Sequence, residues 1–206
     1  MSAGPQIAVL DYGMGNLRSV EKALEHVGAA AAVTNDHARV RDAEGVILPG
    51  VGAFPKAMER IRELGLDALV RERLEAGVPV LGICLGLQLL FQRSTERGGA
   101  DGLGVMEGSV DKLAVNGLKL PQIGWNAVAW KRTSPLIEGL PDPCPMYHVH
   151  TYAVRSGNAL GTAIYGEEFT SAVANGLVYG VQFHPEKSGP HGLRLLANFA
   201  RICAAA

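Results

Sequence analysis

The sequence predicts an α/β protein, with a mixed, largely parallel central sheet flanked by helices and an additional antiparallel β portion in its C-terminal half. Three observations predict it. In the first half, apolar runs of strand length alternate with longer stretches of helical period, the pattern of βα units. Val78–Ile83 is an unbroken apolar run, as in a strand buried on both faces of a parallel sheet. From Gly104 to Val181 the chain changes to short β-like pieces separated by Gly, Pro and Asn, which suits antiparallel pairing.

Taken in order, Ile7–Leu10 is a short apolar strand. Leu17–Val27 is a helix, with Leu17, Val20, Leu24 and Val27 recurring at helical spacing. Gly45–Leu48 is a strand, and Phe54–Ala76 forms one or two helices broken near Gly65. Val78–Ile83 passes directly into a helix over Leu85–Gln92, followed by a softer loop at Arg93–Gly102. The β-like pieces are Val105–Leu113, Leu118–Ile123, Val128–Trp130, Tyr147–Val154, Leu160–Tyr165, Ser171–Val173 and Leu177–Gln182, with a proline-rich loop at Leu140–Pro145. Leu193–Ile202 closes the chain as a helix. No internal repeat or low-complexity linker divides it, so residues 1–206 are expected to form one domain.

Composition narrows the function. The 206 residues are 48% hydrophobic, enough for one well-buried core. Lys+Arg 19 against Asp+Glu 20 leaves a formal net charge of -1 with no long run of either sign. Such a surface lacks the electrostatic footprint of a nucleic-acid or anionic-membrane binder, so a small molecule or another protein is the expected partner. Met1-Ser2-Ala3-Gly4-Pro5 lacks the basic start and apolar run of a secretory leader, and a cytoplasmic location is expected. Cys84, Cys144 and Cys203 cannot all pair and show no close CxxC spacing, which argues against a disulfide framework or zinc site. The six histidines form no ligand-like cluster beyond His148 and His150, whose alternation is read as splitting them across two faces. No metal or cofactor is expected.

In Gly82-Ile83-Cys84-Leu85-Gly86 a cysteine stands at the seam of strand and helix with a glycine two residues away on either side. A sharp strand–turn–helix elbow holds its central residue in a strained conformation, where neighbouring side chains would collide. Gly82 and Gly86 remove that collision. The elbow exposes the sulfur at the C-terminal edge of the sheet, where α/β folds bind ligands, beside a helix N-terminus that favours the thiolate. Cys203 on the last helix reads as core, and Cys144 between two prolines as a loop thiol without a base.

A nucleophilic cysteine needs a base, and the base needs an orienting group. Pro185 pushes His184 toward extended geometry, so His184 and Glu186 project on one side at a strand's end. A carboxylate there would fix the tautomer of the imidazole and stabilise its cation. In Leu48-Pro49-Gly50-Val51-Gly52-Ala53-Phe54 a buried strand ends in a glycine-rich loop whose N–H groups suit a tetrahedral oxyanion, with the N–H of Leu85 as second donor. By itself this segment is equally a plain turn between strand and helix.

Together, Pro49-Gly50-Val51-Gly52, Gly82-Ile83-Cys84-Leu85-Gly86-Leu87-Gln88 and His184-Pro185-Glu186 resemble the class I glutamine amidotransferases in order and spacing. The resemblance implies a flavodoxin-like fold and an enzyme that cleaves the side-chain amide of L-glutamine through a cysteinyl thioester. It makes Cys84 the nucleophile, His184 the base, Glu186 its orienter, and Gln88, with Thr151 and Tyr152, contacts to the glutamine. Asp11–Val20, Gln122–Asn126 and Tyr147–Tyr152 are similar to a branch of the class whose members pass ammonia to a (β/α)8-barrel cyclase subunit. That likeness places Asn16, Trp125, Tyr147 and Lys187 near the docking face, with Lys187 bridging to the barrel's entrance. It also implies a hydrolysis that stays nearly silent until the partner binds its nucleotide, through a flip of the Gly50–Val51 peptide. Where many relatives carry Phe, this chain has His148, which touches no triad member, and His150 reads as a satisfied structural histidine.

Gly13-Met14-Gly15-Asn16 lacks the third glycine of a dinucleotide loop and is discounted as one. Other readings stay open: a different class I glutaminase, such as that of a pyridoxal phosphate synthase or a nucleotide synthetase, and a non-catalytic relative acting as a binding module.

Overall fold

The computed structural model describes residues 4–206, so the leader reading of Met1–Ala3 lies outside the described residues. The first half contains strands β1 (Gln6–Leu10), β2 (Ala30–Thr34), β3 (Gly45–Leu48) and β4 (Val80–Ile83). Its helices are α1 (Leu17–His26), α2 (His37–Arg41), α3 (Phe54–Glu63), α4 (Leu66–Glu75) and α5 (Leu85–Leu89). The second half adds β5 (Arg93–Ser94), β6 (Ala100–Asp101), β7 (Ser109–Lys112), β8 (Gln122–Trp130) and β9 (Cys144–His150). After them come β10 (Tyr152–Arg155), β11 (Ala159–Tyr165), β12 (Glu167–Asn175), β13 (Val178–Val181) and the last helix α6 (Gly189–Cys203).

Strands β2-β1-β3-β4-β13 run parallel in that spatial order, a doubly wound arrangement of the flavodoxin type. Beyond β13 the sheet turns antiparallel through β12, β10 and β7, while β11 leads from β12 to the β8–β9 hairpin. The parallel strands bury both faces, as their apolar runs require. Ala8, Leu10, Val46 and Leu48 face the core under α3, α4 and α5, while Ile7, Val9 and Ile47 face the core under α1 and α6.

Several boundaries differ from the sequence expectation, each for a tertiary reason. The helix after Cys84 stops at Leu89, three residues short, because the carbonyls of Leu89, Leu90, Phe91 and Gln92 accept from Leu103, Met106, Gly104 and Gly102 instead of continuing a helix. The Arg93–Gly102 loop therefore carries β5 and β6, and Val105–Leu113 is a strand only over Ser109–Lys112. Leu118–Ile123 and Val128–Trp130 are not two strands; β8 runs unbroken between them from Gln122. Tyr147–Val154 is instead cut at Thr151, where the chain passes from β9 to β10.

The proline-rich loop gives up Cys144 and Pro145 to the start of β9, an outer strand whose ladder partner is β8, where an imino acid is tolerated. Cys144 is thus a buried strand thiol and not a loop one. The edge strand β2, an alanine-rich half-buried segment, and the five-residue α2 carry no periodicity to announce them. Among the described residues no helix is long and apolar enough to cross a membrane.

The tightest joint of the sheet is between α5 and β3. A β-carbon at Gly86 would run into the Leu48 carbonyl oxygen, and one at Gly82 would sit 2.6 Å from the Gly86 oxygen. Neither glycine has a positive φ, so both are needed for close approach alone. Gly86→Ala is expected to lower the unfolding free energy by about 3 kcal/mol, the cost of overpacking a joint that cannot yield. A urea midpoint equal to that of the parent chain would show that helix and strand do not meet this closely.

Candidate active site

Three strand ends build the site. In the parallel register Leu48 pairs with Gly82 and Val181 with Ile83, so the segments that follow β3, β4 and β13 leave the sheet side by side at its C-terminal edge. Pro49–Gly52, Cys84 and Gln182–Glu186 are therefore neighbours, although they are far apart in sequence. Cys84 has φ 54 and ψ -109, a strained elbow for a residue with a side chain, and its N–H is held by the Val181 carbonyl. Leu85 opens α5, so its N–H has no intrahelical acceptor.

After β13, Phe183 bridges to His148 and the His184 N–H donates to the Tyr147 carbonyl, which fixes the exit of the chain. The turn Pro185–Lys187 then brings Glu186 back beneath the imidazole: Glu186 Oε1 lies 2.9 Å from His184 Nδ1, and both side chains are nearly inaccessible. Burial alone would push the His184 pKa down. The hydrogen bonds and charges of Cys84 and Glu186 outweigh it and raise the pKa to about 10. With Nδ1 taken by Glu186, Nε2 is left for Cys84. The arrangement is a thiol, a base and an orienting carboxylate, as nucleophilic catalysis requires.

Cys84 and His184 open into a cleft of about 260 Å³, also bordered by Val51, Gly52, Leu85, Gln88, Thr151 and Tyr152, with Glu186 buried behind the imidazole. Gly50 lies behind the cleft wall, against the Tyr12 hydroxyl and Leu85, and Tyr12 donates to the Pro49 carbonyl from below. Val51 is 43% exposed. A larger hollow of about 740 Å³ beside Trp130 and Arg132 contains none of the predicted site residues.

A chain of hydrogen bonds starting at one carbonyl fixes the polar groups of the wall. The Tyr152 carbonyl can only accept, so both Gln88 Nε2, 2.9 Å away, and His150 Nδ1, also 2.9 Å away, donate to it. Gln88 Nε2 gives its second hydrogen to Gln182 Oε1 at 3.0 Å. Both N–H groups of Gln88 are then used, and only its Oε1 is left to accept from a ligand. Gln182, fully buried, turns its own Nε2 toward Cys84 Sγ at 3.8 Å. The sulfur also lies 3.7 Å from the Val149 carbonyl.

His148 and His150 do not split across two faces. Residues two apart on β9 share a face, and their rings lie 5.7 Å apart in the interior. His148 donates from Nδ1 to the Met146 carbonyl and accepts from the Ser171 hydroxyl at Nε2. Burial, and then the neighbouring His150, push its pKa down to about 3, and burial pushes that of His150 down to about 4, so both are neutral. His150 is satisfied at one nitrogen only, because its buried Nε2 has no partner among the described residues. By contrast, burial drives the Cys144 and Cys203 thiols up to about 11 and about 12.

Two residues at the site, one bordering the cleft and one buried behind it, carry no signal in the sequence. Glu96 borders the cleft and accepts from the Phe54 N–H at 2.8 Å, yet it stands alone in a loop without motif. Gln182 lies two residues before His184, just past the end of β13, and local pattern does not say which groups its buried side chain meets. The predicted docking residues lie on one side. Trp125 and Tyr147 are paired across β8 and β9 in an edge-to-face contact, ring centroids 6.0 Å apart. Trp125 is 58% exposed and its neighbour Ile123 63%. Lys187 is exposed at the cleft rim, and α1, which Asn16 precedes, packs beside its turn. Among the described residues no group of three or more His, Cys, Asp or Glu is placed to hold a metal ion.

Comparison with known proteins sets this geometry in context. The family described as glutamine amidotransferase class-I matches residues 8–203. The chain is 48% identical over 201 residues to the imidazole glycerol phosphate synthase subunit HisH of Bacillus cereus (strain G9842), covering 97% of this chain and 96% of that one. The protein of the same name from Symbiobacterium thermophilum is 50% identical over 200 residues, covering 96% and 94%. Among solved structures, PurLQS from Thermotoga maritima superposes with a TM-score of 0.76 at 20% identity, over 97% of this chain and 99% of that one. A structure described as a glutamine amidotransferase gives 0.73 at 23% identity, over 96% and 98%. At that identity the likeness is one of fold.

The raised His184 pKa has a consequence for stability. A cation favoured in the folded state contributes fully below the unfolded pKa of about 6.5, and its contribution is lost as pH rises through about 10. The difference in unfolding free energy between the parent chain and Glu186→Gln is therefore expected to be full below about pH 6.5 and to vanish as pH passes about 10. Urea titrations across that range measure it, and a difference that grows with pH would contradict the pairing.

Proposed function

We infer, from the fact that this chain belongs to the class I glutamine amidotransferase family, that it is the glutaminase subunit of an imidazole glycerol phosphate synthase and acts in histidine biosynthesis. Near-complete coverage of the HisH relatives at about one residue in two supports the branch. The cleft, where Cys84 from the end of β4 meets His184, backed by Glu186, from the segment after β13, is the observation that carries the reading to chemistry. The substrate is L-glutamine and the partner a cyclase subunit; a (β/α)8 barrel is the fold we propose for it.

In the proposed mechanism the Cys84 proton passes to His184 Nε2, and the thiolate attacks the side-chain amide carbon of glutamine. The carbonyl π pair moves to oxygen, where the N–H of Leu85 and, after the Gly50–Val51 peptide turns, that of Val51 hold the oxyanion. The C–N bond then breaks as His184 protonates the leaving nitrogen, releasing ammonia and leaving a thioester on Cys84. A water, deprotonated by His184, attacks the thioester carbon, and glutamate departs with the sulfur restored. Glu186 orients the imidazole and balances its positive charge in both halves.

Substrate orientation follows from the donor inventory. With its N–H groups spent on Tyr152 and Gln182, Gln88 offers only an acceptor, which suits the α-ammonium of glutamine. Glu96 supplies the negative charge for the same group, and the backbone around Thr151 and Tyr152 forms the opposing wall. Ammonia leaves toward the Trp125, Tyr147, Asn16 and Lys187 side, where Lys187 pairs with the barrel's entrance.

The first test is glutamine hydrolysis by the chain alone and with the nucleotide-bound cyclase. Activity is expected to appear in the complex and to fall at least a thousandfold in Cys84→Ala. Equal activity of the free chain would rule out the proposed loop switch, and indifference to this cyclase would point to another synthase. Glu96→Gln is expected to raise KM about ten- to a hundredfold with kcat within a few fold, the worth of a charge-assisted hydrogen bond to substrate. An unchanged KM in steady-state assays would remove Glu96 from the substrate site.

A further inference from the structure

We propose that Gln182 is a further catalytic residue, a buried donor that holds the nucleophile's sulfur as a thiolate, aimed by the same hydrogen-bond chain that lines the substrate wall. The proposal deepens the reading of Cys84 as the nucleophile and rests on it.

The orientation of an amide is often ambiguous, because its oxygen and nitrogen are alike in shape. Here each link decides the next. The Tyr152 carbonyl has no hydrogen to give, so the Gln88 nitrogen must face it. That same nitrogen, 3.0 Å from Gln182, carries the donor for their contact, so the Gln182 oxygen must face Gln88. The Gln182 nitrogen is then left pointing at Cys84 Sγ, 3.8 Å away. Reversing it would set two donors against each other at one end and a carbonyl against the sulfur at the other.

The contact matters most after the proton has moved. As a thiol, Cys84 can donate to the Val149 carbonyl, 3.7 Å off. Once its proton is on His184, the sulfur can only accept, and the Val149 oxygen becomes an unfavourable neighbour. Gln182 Nε2–H is the side-chain amide donor placed to meet the new charge, and full burial keeps water from competing with it. When the S–C bond forms, the charge passes to the carbonyl oxygen of the substrate and this hydrogen bond weakens. The residue thus steadies the thiolate formed when the proton moves and fixes the direction of the attacking lone pair. Because its aim depends on Gln88 and Tyr152, a displacement of the substrate wall is transmitted to the sulfur.

The test measures the rate of Cys84 alkylation by iodoacetamide against pH, in the full chain complexed with its cyclase partner. This reagent is neutral and generates no oxyanion, so it reports the thiolate without the oxyanion loop. Gln182→Met and Gln182→Leu are expected to slow alkylation at pH 7 about tenfold while reaching, at high pH, a plateau within twofold of the parent. A pH 7 rate equal to the parent's overturns the proposal, as does an equal slowing at every pH, which would mean altered access. Should both variants fail to fold, nitrogen-15 spectra of the parent decide: alkylating Cys84 is expected to move the Gln182 side-chain amide signals, and unmoved signals overturn the assignment. A failure of the underlying reading shows separately, as fully alkylated Cys84 with glutamine hydrolysis intact, and it overturns this proposal too.

Discussion

The structure turns on one backbone contact, the approach of the first turn of α5 to the end of β3 through Gly86 and Leu48. No side chain fits between them. That closeness lets β4 turn into α5 without a connecting loop and holds Cys84 in a conformation that would otherwise relax. Strain of this kind costs on the order of 1–3 kcal/mol and persists only where the surroundings over-determine it. Here they do: strands on both sides of β4 are in register, the Cys84 N–H is bonded to β13, and two glycines remove the atoms that would force the elbow open.

Burial alone would silence the titratable groups of this interior. It does so for His148 and His150, held neutral, and for the Cys144 and Cys203 thiols, pushed far above neutrality. His184 is buried as well, yet its pKa moves the other way, because a carboxylate and a thiol are placed where its cation would form. The contrast separates His184, the proposed base, from its neighbours on physical grounds: desolvation is common to all three, and only His184 has a buried carboxylate at hydrogen-bond distance.

In the proposed reaction the same short turn serves the chemistry and the docking face. Glu186 points inward to His184, while Lys187, the next residue, stands exposed at the cleft rim. The Tyr147 carbonyl receives the His184 N–H, and its ring meets Trp125 on the outer face of the hairpin. A partner seated on Trp125 and Tyr147 would therefore press on elements one bond removed from the base. This proximity gives the proposed coupling between partner and glutaminase a short physical route.

The sequence by itself determined β1, β3, β4 and the helices α1, α3 and α4 of the parallel half, because alternating apolar runs and helical periods are local signals, but not the edge strand β2, the short α2 or the parallel pairing of β13 with β4. It also determined the elbow and its cysteine, because only glycines at two fixed positions permit that turn. The order and spacing of the three motifs pointed to the family. Tertiary structure decided what depends on which groups meet. The helix after Cys84 ends at Leu89 because a segment from Gly102 to Met106 takes its carbonyls, a contact no local pattern announces. His148 and His150 share one interior face, Glu96 reaches the cleft from a loop without motif, and Gln182 is aimed at the sulfur by a chain of hydrogen bonds that begins at a carbonyl on another strand. Periodicity records which side of an element is buried, whereas the identity of a hydrogen-bond partner is set by strands and loops that only the folded chain brings together.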